Sequence, residues 1–147
     1  MSDVLVATSA RARQGAASRW NELAMTPLVG VARSGAQLDL IWENYELGAR
    51  ESSARYTVTV ALERERSAAG RIAARIVGVV GGRVGVDQTN DRMAIHFERS
   101  AAYSPAILDM VTLSLGQTPR GSYRLTVEVA DNVTGRVTSR TSRLVIE

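Results

Sequence analysis

From Leu38 onward, apolar and polar residues alternate along this chain with a period of two, the pattern of strands that bury one face. Leu38, Leu40 and Trp42 share one side, with Asp39, Ile41 and Glu43 on the other. Tyr56, Val58, Val60 and Leu62 then alternate with Thr57, Thr59, Ala61 and Glu63. Between these two strands, the small and polar stretch from Gly48 to Ala54 reads as a hairpin-like connection. From Ile72 to Val86 the alanines tolerate a helix, but four glycines oppose one and the valines favour strands. That stretch predicts a strand, a turn at Gly81-Gly82 and a second short strand, followed by a polar loop from Val86 to Asp91. Met93, Ile95 and Phe97 alternate with Ala94, His96 and Glu98 in a further strand. Residues 99–110 lose the pattern and leave room for a turn of helix, interrupted by Pro105.

The last third is the most regular. Val111, Leu113 and Leu115 form one apolar face, and Pro119 and Gly121 punctuate a turn. Tyr123, Leu125, Val127 and Val129 form the next face. Asp131 to Gly135 closes a hairpin onto a last strand from Val137 to Ile146, whose many polar positions suit a sheet edge. Strands at this spacing, without convincing helices between them, predict an all-β fold: an Ig-like antiparallel β-sandwich of about seven or eight strands. Residues 38–147 would form the sandwich domain. Residues 1–37 would be an irregular N-terminal segment, with a strand near Val4–Ala7 and a small, basic linker over 11–19. Trp20, Leu23, Met25, Leu28, Val29 and Val31 would pack that segment onto the sandwich.

Composition narrows the functions. With 147 residues, of which 45% are hydrophobic, the chain has material for one core. No apolar run reaches transmembrane length. Cysteine is absent, so disulfides and thiolate chemistry are excluded. All 18 basic residues are arginine, and acidic residues are interspersed among them, so the net charge is only +3. The start, Met1-Ser2-Asp3-Val4, carries no secretory signal. The expectation is therefore a cytoplasmic chain if it is complete, or an envelope or extracellular domain if it is trimmed from a longer precursor.

Several stretches resemble the C-terminal β-sandwich of bacterial GWxTD-type proteins. Ser2 to Ala7 is similar to the opening of that region, and Leu38-Asp39-Leu40-Ile41-Trp42-Glu43-Asn44-Tyr45-Glu46-Leu47 to its strand of the EiYnL kind. Arg55-Tyr56-Thr57-Val58 resembles the strand that follows, and Gly121 to Val127 with Asp131 to Gly135 its closing hairpin. The naming motif is absent, because no Gly-Trp pair occurs here. The resemblance implies an exported or envelope-associated setting and little about chemistry.

Tyr123, at a strand start after Pro119 and Gly121, has the position of a tyrosine corner, a structural lock. His96 is the single histidine; a hydrolase would need it beside a nucleophile such as Ser100 or Ser104 and an acid such as Asp91. Glu63 and Glu65 share a strand face about 7 Å apart, a spacing a glycosidase can use. Asp87, Asn90 and Asp91 offer oxygens to calcium, without the spacing of an EF-hand loop. Asn132-Val133-Thr134 has the form of a glycosylation sequon within a turn. The glycines at 78, 81, 82 and 85 lack the Lys and the helix of a phosphate-binding loop, and Arg11, Arg13 and Arg19 lack aromatic interleaving for nucleic acid. No catalytic, cofactor or metal residue is assigned. The expected function is a non-catalytic interaction or structural module with no cofactor. It would bind a protein partner or self-associate through an edge strand, either the last strand or the Val77–Val86 region. The alternatives are a carbohydrate-binding module and a hydrolase using His96.

Overall fold

The computed structural model describes residues 1–65, 70–77 and 84–147, so the turn expected at Gly81-Gly82 lies outside the described residues. Eleven strands are seen among the described residues: β1 (Leu5–Ala12), β2 (Leu23–Pro27), β3 (Gln37–Tyr45), β4 (Ala49–Arg50), β5 (Ser53–Arg64), β6 (Arg75–Val77), β7 (Val84–Gln88), β8 (Arg92–Ala102), β9 (Ala106–Ser114), β10 (Gly121–Asp131) and β11 (Val137–Ile146). They form two antiparallel sheets, β2-β1-β3-β9-β6 and β11-β10-β5-β8-β7, with β4 on the start of β5. An all-β sandwich results, as the alternation requires.

Its order is that of an immunoglobulin-type sandwich. There the strands A-B-E-D of one sheet face G-F-C of the other. Taken along the chain, β1, β3, β5, β6, β9, β10 and β11 occupy the places of A to G. The strand count exceeds the expected seven or eight because β2, β4, β7 and β8 are additions to that frame. The β7–β8 hairpin widens the second sheet beyond β5, making β7 its edge.

The alternating faces meet as expected. Leu38, Leu40 and Trp42 of β3, Val58, Val60 and Leu62 of β5, and Leu125, Val127 and Val129 of β10 all lie in one buried cluster between the sheets. Three expectations are corrected. First, β3 and β5 lie in opposite sheets, so Gly48 to Ala54 crosses between them; its tight hairpin joins β4 to β5 through Glu51 and Ser52, both at positive φ. Second, the supposed loop from Val86 is strand as far as Gln88. Third, residues 99–110 hold no helix but the end of β8, a short turn at Tyr103–Pro105 and the start of β9.

The N-terminal residues supply two strands of the first sheet. A register shift between Ala7 and Ser9 turns β1 from its pairing with β3 to its pairing with β2. Asp39 holds this bend: one carboxylate oxygen accepts from the Ala10 N–H (2.6 Å), the other from the Thr112 hydroxyl (2.6 Å). The chain then folds over the sheet's outer face, where Ala7, Leu23 and Ile41 are buried with Trp20, Met25 and Leu108 against them. Val29 and Val31, expected to pack as well, are exposed. Among the described residues no helix is long and apolar enough to cross a membrane.

Candidate functional site

A sheet edge leaves a row of backbone donors and acceptors unpaired, and folded proteins ordinarily blunt such edges. Three of the four edges here are blunted. β2 ends at Pro27, and β6 has three residues among those described. β11 is covered at its C-terminal end, where the Ala32 N–H donates to Val145 O and the Glu147 N–H to Ala32 O, both at 2.8 Å. Near its middle, Arg140 reaches Met1 O at 2.8 Å and Asp3 at 3.4 Å.

β7 has such cover only at its far end, where the Gln88 side chain donates to Ile72 O and accepts from Arg71 at 3.2 Å; among the described residues its backbone edge carries none of these devices. The Thr89 N–H donates to Arg92 O (2.7 Å), which fixes that pair as hydrogen-bonded and sets the alternation up the hairpin. Asp87 and Gly85 therefore bond β8, while the N–H and C=O groups of Gln88, Val86 and Val84 point away from it. Among the described residues these outward groups have no backbone partner. The side chains add apolar surface. Val84 and Val86 stand beside Phe97 and Ile95 and share their inward face. Phe97 and Ile95 are buried, yet Val84 is 50% and Val86 57% exposed, so the packing between the sheets ends before β7.

On the outer face of the same sheet lies His96. Ile95 and Phe97 are buried on the opposite side, as the alternation implied. The imidazole leans over β7 into the space above Gly85, where a Cβ would stand 1.8 Å from its Nε2. Its Nδ1 is 3.8 Å from the Asp87 carboxylate. Among the described residues no hydroxyl hydrogen-bonds this ring. Ser100 instead shares a 3.0 Å bond with Ser53, and Asp91 pairs with Arg64 at 3.5 Å. The three residues a hydrolase would need are not brought together.

The other candidates are also separated. Glu63 faces Arg124 at 3.8 Å and Glu65 faces Arg143 at 3.3 Å, an ion-pair row along the outer surface. Of the calcium candidates, Asp87 faces His96 at 3.8 Å and Asp91 pairs with Arg64 at 3.5 Å. Among the described residues, no group of three or more His, Cys, Asp or Glu side chains is placed to hold a metal ion. Trp42 is wholly buried, Trp20 packs against the outer cluster, and Tyr45 and Tyr103 are half-exposed. Asn132 Oδ1 accepts from the Thr57 hydroxyl (3.2 Å), and Thr134 hydrogen-bonds Asp131 at 2.6 Å, so the sequon residues are turn structure. Arg13 caps the Leu23 carbonyl at 3.2 Å. Of the glycines, 78, 81 and 82 lie outside the described residues.

The sequence matches no protein-family model, no curated protein and no solved structure. What the chain does must be read from its own geometry.

Tyr123 is a tyrosine corner: its hydroxyl donates to Pro119 O at 2.6 Å, at the start of the strand that fills the F position. Two polar groups around the core escaped the sequence reading. Arg64 lies on the inward face of β5 with its guanidinium against the Tyr123 hydroxyl (3.3 and 3.4 Å), Gly70 O (3.1 Å) and Asp91 (3.5 Å). At the other end, the buried Asp109 of β9 accepts from the Tyr56 hydroxyl (3.0 Å) and faces Arg99 at 3.6 Å. Burial raises the Asp109 carboxyl above the usual carboxylate range, against the opposing pull of Arg99 and Tyr56. Burial and that carboxylate together push the Tyr56 hydroxyl well up. The signal for both groups was a charged residue at an inward step of the alternation: Tyr56-Val58-Val60-Leu62-Arg64, and Ile107-Asp109-Val111-Leu113.

Proposed function

We propose that this chain is a non-catalytic β-sandwich module that docks an extended polypeptide segment along β7, in the manner of strand addition. The observation that carries this reading is the bare β7 edge, where outward backbone groups stand beside two half-exposed valines. Backbone hydrogen bonds would supply affinity. Val84 and Val86 would supply apolar contact on the inward face, with Asp87 and His96 selecting among partners on the outer face. The setting we infer, an envelope-associated or secreted bacterial protein, rests on the resemblance of residues 2–7, 38–47, 55–58, 121–127 and 131–135 to the GWxTD-type sandwich.

The test is photo-crosslinking in the native cell. A photoreactive amino acid at Val84 is expected to give an adduct of defined mass that Val86→Pro abolishes. Proline at 86 removes an N–H that points away from β8, so the chain's own ladder stays intact. Absence of any adduct at Val84, with adducts instead at a control position on β11, would refute the reading.

A further inference from the structure

We infer that the segment docked on β7 is the β7 of a second copy of this chain, paired antiparallel with the two-fold axis at Val86. This rests on the edge reading above and names its partner. Antiparallel pairing about an outward-pointing residue brings Val86 opposite Val86 and Val84 opposite Gln88 of the second copy. Every outward N–H and C=O of Val84, Val86 and Gln88 then finds a partner, in both copies alike. A one-residue slip would put the valines on the wrong face of the joined sheet. Centring the pair on Gln88 instead would separate the valines of the two copies.

The choice of a second copy over a foreign strand comes from where Asp87 and His96 stand on the outer face. In this register Gly85 of one copy lies opposite Asp87 of the other. Such non-hydrogen-bonded pairs bring side chains closest. Gly85 presents no side chain of its own; the space above it is filled by His96. The Asp87 carboxylate of each copy therefore meets the His96 imidazole of the other, once on each side of the axis. On the opposite face the two Val86 side chains meet at the axis, with Val84 of each copy beside them and opposite Gln88, joining surfaces that are half-exposed in the single chain. The strand is thus complementary to itself in backbone hydrogen bonding, in shape and in the pairing of carboxylate with imidazole. The contact is small, so the association is expected to be reversible.

Sedimentation equilibrium of the full chain over a wide concentration range tests this. A concentration-dependent dimer is expected. Val86→Pro should remain monomeric throughout while keeping the far-ultraviolet circular dichroism and melting temperature of the parent chain. Asp87→Arg should weaken the dimer by about tenfold or more, a loss of complementarity on both sides of the axis. Asp87→Arg combined with His96→Glu should restore it. A parent chain that is monomeric at every concentration overturns self-pairing, as does a dimer indifferent to Val86→Pro. The two readings are separable: a Val84 crosslink to a different polypeptide would retain the edge reading and discard the second copy, whereas no crosslink at Val84 would discard both.

Discussion

Replacing Arg64 by methionine is expected to lower the free energy of unfolding by about 3 kcal/mol, read as a drop in melting temperature and in denaturant midpoint. The side chain is 2% exposed and holds three things together. Its Nε and Nη2 donate to the Tyr123 hydroxyl, which donates in turn to Pro119 O. Nη2 also bonds Gly70 O, and the guanidinium carbon lies 5.6 Å from the centre of the Tyr123 ring. Methionine matches the volume but makes none of these bonds. Asp91, whose side chain is 41% exposed, can return to water, which keeps the cost below that of stranding a buried carboxylate. Because Arg64 and Tyr123 share one network, Tyr123→Phe should cost about 1–2 kcal/mol alone, and the double variant should lose less than the sum of the two. Strict additivity would mean that the two residues lock the sheets independently.

Asp131 is expected to make stability depend on acidity between about pH 4 and pH 2. Burial raises its carboxyl, but the Thr134 hydroxyl and the N–H groups of Gly48, Val133 and Thr134 outweigh that and hold it at about 2. An unfolded aspartate titrates near roughly 3.9, so the native state favours the ionised form. The resulting stabilisation is fully present above the unfolded value and is lost as pH falls through the folded one. Its size is about 2–3 kcal/mol. Asp131→Asn should lose about that much at neutral pH, because an amide NH₂ must face donors, and its stability should change less between pH 4 and 2. The bonds span two loops: Gly48 lies between β3 and β4, while Thr134 lies in the β10–β11 hairpin. Gly48 must remain bare, since a Cβ there would stand 2.8 Å from both Val133 and Thr134 side-chain carbons. A parallel pH profile for the parent chain and Asp131→Asn would show that the carboxylate does not lock these loops.

Both residues show how far alternation can be read. It exposes which side chains face inward wherever those side chains are apolar, and β10 was legible for that reason: Tyr123, Leu125, Val127 and Val129 are all buried. It says nothing of which sheet a strand joins, so β3 and β5 looked like hairpin partners although they lie in opposite sheets. It also fails where an inward step is charged. Arg99 and Asp109 face each other between β8 and β9, and their polarity made two strands look like a broken helix. β7 was half hidden for a different reason. Its inward valines meet no opposing sheet, Gln88 is polar at an inward step because it bonds Ile72 O and Arg71, and Gly85 is small because His96 fills its place. The tyrosine corner was legible because it depends on local chain geometry. The free edge was legible only as a region of weak polarity.

Amide hydrogen exchange along β7, followed residue by residue at a concentration where the chain is monomeric, bears most directly on the edge. Gly85 and Asp87 should exchange slowly because they bond β8, while Val84, Val86 and Gln88 exchange fast and become slow when a strand adds. Slow exchange at all five in the monomer would mean that the edge is already covered, and fast exchange at all five that no strand is there to offer one.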